Sequence, residues 1–282
     1  MGAMTSAGAP RRTMADGAAI PVLGLGTWPL DDAEASAVVG DALQAGYRLV
    51  DTAANYGNET GVGRAIRESD VPRDEVFLTT KLPGRQHGRR EALAGLEESL
   101  GRLGLDYVDL YLIHWPLPTI GRYVETWEAL VELRSQGKAR SIGVSNFTPA
   151  QIDEVAERTG VVPVVNQIEL HPELSQAELR AWHDARGIVT ESYSPLGPDT
   201  DVLDDPGIAG VAAAHGRTPA QVILRWHVQI GAVPIPKSAD PARLRQNLAV
   251  FDFELDDGQM AVLDGVNRDN RTGGDPETNV EL

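Results

Sequence analysis

Four side chains able to carry protons occupy related places in the first half of the chain: Asp51, Tyr56, Lys81 and His114. Asp51 closes the short run begun at Arg48, Lys81 closes Val76-Phe-Leu-Thr-Thr, and His114 closes Asp109-Leu-Tyr-Leu-Ile. Tyr56 stands in the loop just after Asp51. A free tyrosine titrates at about 10, too high to exchange protons readily at neutral pH. A lysine ammonium beside it favours the phenolate, and a carboxylate keeps that ammonium charged and oriented. A histidine against the same oxygen can polarise a carbonyl or pass a proton. Together they suit protonation of the alkoxide formed when hydride reaches a carbonyl carbon. Each also has an ordinary reading when taken alone: a solvated lysine, a helix-capping Asp51, a structural His114, a loop-packing Tyr56. A lysine in such a place can instead form a Schiff base, as in an aldolase. These four residues by themselves leave both chemistries open.

The elements that must position them read as alternating strands and helices. Candidate strands are Leu23–Gly26, Arg48–Thr52, Val76–Lys81, Tyr107–His114, Ser141–Ser145, Val164–Ile168, Ile188–Ser192 and Val233–Pro236. Several are near-continuous apolar runs, as parallel strands buried on both faces should be. Between them lie helix-like stretches at Ala33–Ala45, Glu59–Arg67, Arg89–Leu103, Tyr123–Gln136, Ala150–Arg158, Gln176–Arg186 and Pro219–Gln229. Gly46, Gly104, Gly137, Gly160 and Gly187 follow helical stretches, where C-terminal caps belong. Eight strand signals in this alternation predict an α/β fold closed as a (β/α)8 TIM barrel. Asp51, Lys81, His114 and Ser145 are about thirty residues apart, one βα unit each, so a closed barrel gathers them at one mouth. Asp16–Gly17 suits a hairpin turn ahead of the first strand, where it would plug the barrel bottom. The chain therefore divides into a flexible N-terminal tail over residues 1–13 and a single barrel domain over 14–282. A doubly wound sheet shares the alternation but needs G-x-G-x-x-G after its first strand. Gly24-Leu25-Gly26-Thr27-Trp28-Pro29 supplies two of those glycines and lacks the third, and no Walker-type loop occurs elsewhere.

Composition narrows the partners. The 282 residues are 42% hydrophobic, enough for a sizeable core. A net charge of −16 and a pI near 4.7 argue against nucleic acid and anionic membrane surfaces. An anionic ligand would need a local basic site, and Lys237-Ser238 ahead of Pro241-Ala-Arg243-Leu-Arg245-Gln246-Asn247 supplies one. Pro241 suits the first turn of a helix, leaving Lys237 and Ser238 near its positive end. Arg245 lies two positions from Arg243 and should face elsewhere. The absence of cysteine excludes disulfides, thiolate metal sites and cysteine nucleophiles, and no metal is expected. Residues 1–19 lack the apolar run of a signal peptide, and no stretch reaches the roughly 18 to 20 apolar residues of a spanning helix. A cytoplasmic monomer acting on a small molecule is expected.

Four segments together resemble the aldo-keto reductase superfamily: Asp51-Thr-Ala-Ala-Asn-Tyr56-Gly-Asn-Glu59, Leu112-Ile-His114-Trp-Pro116, Ile142-Gly-Val-Ser145-Asn146-Phe and Ile235-Pro-Lys237-Ser238. The likeness runs from about Ile20 to the last residues, and its short loops are most similar to the bacterial 2,5-diketo-D-gluconate reductase branch. The resemblance implies Tyr56 as general acid, Lys81 and Asp51 as its tuning pair, and His114 as the partner orienting the carbonyl. It also implies NADPH bound extended across the mouth without a Rossmann fold. Ser145, Asn146 and Gln167 would hold the nicotinamide carboxamide, with Tyr193 stacked beneath the ring and Gly26, Thr27, Ser194 and Leu196 alongside. Lys237, Ser238 and Arg243 would hold the 2′-phosphate, and Gln246 and Asn247 the adenine.

Trp28 and Trp115 lie just beyond strands and are expected to line the substrate pocket, whereas Trp127, Trp182 and Trp226 sit within helical patterns as packing residues. The short loop from Trp115 to Tyr123 and the polar Thr272-Gly-Gly-Asp-Pro276 segment suggest an open pocket for small polar carbonyls such as diketo-sugar acids or dicarbonyls. Two rival readings stand beside reduction to the alcohol: a cofactor-binding regulatory subunit without turnover, and a Schiff-base aldolase using Lys81.

Overall fold

A computed structural model describes residues 9–281. Eight parallel strands form one curled sheet: β3 (Leu25–Gly26), β4 (Leu49–Asp51), β5 (Phe77–Leu82), β6 (Val108–Ile113), β7 (Ala139–Ser145), β8 (Val165–Glu169), β9 (Val189–Tyr193) and β10 (Val233–Pro234). Each pairs with its neighbour in sequence. The first and last strands meet through Gly24 N donating to Pro234 O at 3.0 Å and Gly26 N to Pro236 O at 3.2 Å, which closes a (β/α)8 barrel. Two glycines permit that seam. A Cβ on Gly24 would fall 2.6 Å from the Leu49 side chain, and one on Gly26 would fall 2.7 Å from the Ile235 carbonyl oxygen. The last strand is shorter than its sequence suggests because Pro234 and Pro236 have no N–H for the ladder. Their carbonyls serve the seam instead.

Two short strands precede the barrel, β1 (Arg11–Thr13) and β2 (Ala19–Pro21), paired antiparallel. Arg11–Thr13 had been assigned to the tail by sequence; they are the first half of the hairpin, and residues 1–8 of that expected tail lie outside the described residues. Met14 and Ile20 are buried among Leu49, Phe77, Leu110, Val165 and Val233 inside the barrel. Ser141 Oγ, near the start of β7, donates to Asp16 at 2.7 Å. The hairpin thus seals the end where the strands begin.

Ten α-helices among the described residues surround the sheet: α1 (Asp32–Ala45), α2 (Glu59–Glu68), α3 (Arg89–Leu103), α4 (Tyr123–Ser135), α5 (Pro149–Thr159), α6 (Ala177–Asp184), α7 (Pro206–His215), α8 (Pro219–Gln229), α9 (Pro241–Leu248) and α10 (Asp257–Asp264). The boundaries follow local chemistry. Asp31, Thr148, Thr218 and Asp256 each make reciprocal caps with a Glu or Gln three residues on. Gly46, Gly104 and Gly160 end their helices in the left-handed conformation. Helices α7 and α10 escape a pattern reading for separate reasons. α7 is a row of alanines and glycines with little contrast between faces, and α10 buries only Leu263. No helix among the described residues is long and apolar enough to cross a membrane.

Candidate active site

Asp51 is the last residue of β4, Lys81 lies near the end of β5, and His114 follows β6. The parallel register brings them to one end of the barrel, with Tyr56 on a tight turn after β4. Lys81 Nζ donates to Asp51 Oδ1 at 2.6 Å, to the Thr52 carbonyl at 2.9 Å and to the Tyr56 hydroxyl at 3.4 Å. The Tyr56 and His114 rings meet edge to face with centroids 5.9 Å apart. Both members of the Lys81–Asp51 pair are sealed from solvent.

Burial dominates the electrostatics here. It would lower the Lys81 pKa, but the Asp51 carboxylate, with the Tyr56 oxygen after it, more than reverses that, so Lys81 stays firmly an ammonium. A Schiff-base nucleophile must be a free amine, and Lys81 is held in the opposite state. Burial raises the Tyr56 phenol above its ordinary value, and the Lys81 ammonium offsets only part of the rise. The expected phenolate stabilisation is therefore present but smaller than the desolvation it opposes, leaving Tyr56 a protonated donor. Burial, and then Lys81, hold His114 well below the usual histidine range, so its ring is neutral.

Asp51, Tyr56 and His114 line a cavity of about 1140 Å³, with Lys81 buried behind them. Its wall includes Gly26, Thr27, Trp28, Trp115, Asn146 and Gln167, and it continues past Tyr193, Ser194 and Leu196 to Lys237. Asn146 and Ser194 both have positive φ (62° and 50°), which non-glycine residues adopt at a cost and which clusters at functional sites. The Asn146 amide donates to the His114 carbonyl at 3.2 Å and accepts from Tyr193 OH at 3.0 Å. Ser145 is buried away from the cavity wall, its hydroxyl given to the Gln167 carbonyl at 2.9 Å. Its oxygen also accepts from Asn146 Nδ2 at 3.1 Å, which braces Asn146 at the wall. Trp28 is 60% exposed at the rim and Trp115 is buried in the wall, while Trp127 and Trp226 are core residues.

The basic patch is only partly continuous with this cavity. Lys237 reaches its wall; Ser238, Arg243, Gln246 and Asn247 lie beyond it, around the start and along the length of α9. The N-terminus of α9 is not an open anion site. Asp240 caps it, accepting from Ala242 N at 2.7 Å and Arg243 N at 3.4 Å. An anion there would be held by the Lys237, Ser238 and Arg243 side chains, not by helix amides.

The C-terminal segment crosses the mouth, so the residues after Arg268, expected to close one side of the pocket, do line it. Glu169, at the end of β8, accepts from Thr272 N, Thr272 Oγ1 and Gly273 N, each at 2.8 Å. Despite burial, its hydrogen bonds to His171 and Thr272 lower its pKa to about 2, so this clasp holds at ordinary pH. Glu281 then reaches the pocket, accepting from Asn55 Nδ2 at 2.8 Å. It approaches His114 Nδ1 to 3.5 Å, where a neutral ring makes no ion pair. Asn58 and Glu59, at the end of the segment around Tyr56 that carries part of the resemblance, prove architectural: Asn58 donates to the Thr27 and Leu30 carbonyls, and Glu59 pairs with Arg102 at 2.7 Å.

Comparison with known proteins agrees with this geometry. The aldo/keto reductase family model matches residues 22–200 and 202–268. The chain is 50% identical over 273 residues to 2,5-diketo-D-gluconic acid reductase B of Corynebacterium sp. (strain SHS752001), covering 97% of this chain and 99% of that protein. It is 53% identical to an aldo-keto reductase of Mycolicibacterium vanbaalenii over 98% of this chain and 99% of that one. Among solved structures, a variant of Gox0644 in complex with NADPH superposes with a TM-score of 0.91 at 47% identity, covering 96% of this chain and 98% of that one. The Bombyx mori aldo-keto reductase in complex with NADP gives 0.88 at 37% identity, covering 94% and 95%. This chain belongs to the aldo/keto reductase family, oxidoreductases that work with NADP(H).

Proposed function

We propose that the protein reduces small polar aldehydes and ketones to alcohols with NADPH, and that Tyr56 supplies the proton. The observation that carries this reading is the line from Asp51 through the buried Lys81 to the Tyr56 hydroxyl, at 2.6 and 3.4 Å, ending at a residue that lines the cavity. NADPH supplies the hydride when bound. The donor set fits such a ligand: Gln167 faces the cavity with an amide oxygen that has no protein partner among the described residues, and Lys237 stands at the far end of the wall. Ser238 and Arg243 extend that cationic end toward a phosphate.

In this reading a substrate carbonyl lies against Tyr56 OH and the neutral His114 ring. Tyr56 gives its proton to the developing alkoxide, and Lys81 stabilises the tyrosinate left behind, its charge balanced by Asp51. Trp28 and Trp115 flank the substrate, and Arg85 and Asn55 add polar contacts at the rim. That mixed rim favours diketo-sugar acids and dicarbonyls over long apolar aldehydes, in keeping with the Corynebacterium relative's name.

The test is NADPH oxidation against a panel of aldehydes, dicarbonyls and keto-sugars, with Tyr56→Phe alongside. Loss of the hydroxyl is expected to reduce kcat by about 10²–10⁴-fold while NADPH affinity is kept. A Tyr56→Phe enzyme that binds NADPH and turns over at the wild-type rate would sink the mechanism.

A further inference from the structure

Glu191 lies on β9, sealed from solvent inside the barrel, and the proton path above makes no use of it. Its Oε2 accepts from Gln167 Nε2 at 2.8 Å, and Asp51 Oδ2 accepts from the same nitrogen at 2.9 Å. Its other oxygen is buried with no hydrogen-bond partner among the described residues. Asp51 is committed to Lys81 as an ionised acceptor, so the Gln167 group facing it must be the NH2, which has two hydrogens to give. Both are taken by carboxyl groups on the inner side of the barrel. The amide oxygen of Gln167 is then the atom turned toward the cavity.

We propose that Glu191 is a positioning residue for the cofactor: with Asp51 it takes both amide hydrogens of Gln167, and so commits the Gln167 oxygen to accept an N–H from the nicotinamide carboxamide. The inference rests on the reading of this cavity as the NADPH site. Without Glu191 only one hydrogen of Gln167 is held, and the terminal torsion of a glutamine is intrinsically broad. Asp51 still holds that one hydrogen, but the amide can then swing about the bond and turn its second hydrogen toward a carboxamide that carries its own NH2, so the acceptor is no longer held in place. Charge favours the same arrangement. Asp51 balances Lys81, and a second carboxylate beside them would be uncompensated. Burial, and then the charge of Asp51, push Glu191 up to about 8, so at neutral pH it is an uncharged acid, for which an unpartnered second oxygen costs far less than it would for a buried carboxylate.

Binding separates this role from a structural one. Dissociation constants are measured for NADP+ and for its acetylpyridine analogue, in which methyl replaces the carboxamide NH2, on wild type, Glu191→Leu and Glu191→Gln. Wild type is expected to prefer NADP+ by about threefold to tenfold, the worth of one neutral hydrogen bond. Glu191→Leu should bring that preference to within about twofold, and Glu191→Gln, whose amide oxygen still accepts from Gln167, should keep it. Should the leucine variant not fold, Glu191→Met serves in its place. A leucine or methionine variant that retains the full preference overturns the proposal, as does one that weakens both ligands equally. A wild type with no preference overturns it too. None of these outcomes depends on turnover, so failure of the Tyr56→Phe test leaves them readable, while a wild type that binds neither ligand removes the cofactor reading and this inference together.

Discussion

Asp51 and Lys81 form an ion pair in a space closed to water. Breaking such a pair on one side leaves a buried ion uncompensated, which costs more than the pair itself contributes. Asp51→Asn is therefore expected to destabilise the fold by about 3–5 kcal/mol, read from the urea midpoint, with the double variant Asp51→Asn/Lys81→Met recovering part of the loss. At this scale the sequence disclosed what lies at strand ends. Asp51, Lys81 and His114 interrupt apolar runs, and a polar residue in that place is conspicuous. Glu191 was not visible, because a glutamate before Ser192 and Tyr193 looks like an outward-facing strand residue until the barrel closes around it. Glu169 was hidden in the same way, since its partners Thr272 and Gly273 are about a hundred residues away in sequence.

Among the elements, the pair of glycines in α2 carries the tightest packing. A Cβ on Gly61 would fall inside the van der Waals radius of the Asp32 carbonyl oxygen on α1, and one on Gly63 would do the same to the Leu103 carbonyl at the end of α3. Backbone cannot give way as a flexible side chain can. Although alanine is the better helix former, Gly61→Ala and Gly63→Ala are each expected to lower stability by about 1–3 kcal/mol by overpacking, measured as a fall in denaturation midpoint without loss of cooperativity. Strands were the elements most readable beforehand, for parallel strands buried on both faces leave short apolar runs, several of them near-continuous. The helices were readable where one face is apolar, as in α2 and α5, and unreadable in α7 and α10, where that contrast is missing.

Taken whole, the molecule has opposing groups of buried titratable side chains. His87, His183 and His227 are each lowered to about 4, first by burial, so the folded state resists the protons that the unfolded chain accepts below about 6.5. Their contribution to stability is present above that value and is lost as pH falls through the window down to about 4. Glu191 acts with the opposite sign. Its folded pKa of about 8 lies above the ordinary 4.5, so its contribution is full at low pH and is lost as pH rises through that interval. These histidines, together with the depressed His114, outweigh the glutamate below pH about 6.5, and above it the glutamate's loss dominates, so maximum stability is expected near that pH. Thermal denaturation across pH 4 to 9 checks this, and Glu191→Gln should flatten the alkaline side and steepen the acid side between about 4.5 and 6.5, where the glutamate opposes the histidines.

The hairpin that seals one end of the barrel and the C-terminal segment that crosses the other give the chain a polarity of practical use. Anything joined ahead of the hairpin leaves from the face where the strands begin, remote from Tyr56. Anything joined after Glu281 must leave beside Asn55 and His114, within the approach path of a ligand. For attachment to a surface, fusion to a second enzyme or purification by an affinity handle, the N-terminal side is the one that leaves the mouth unobstructed.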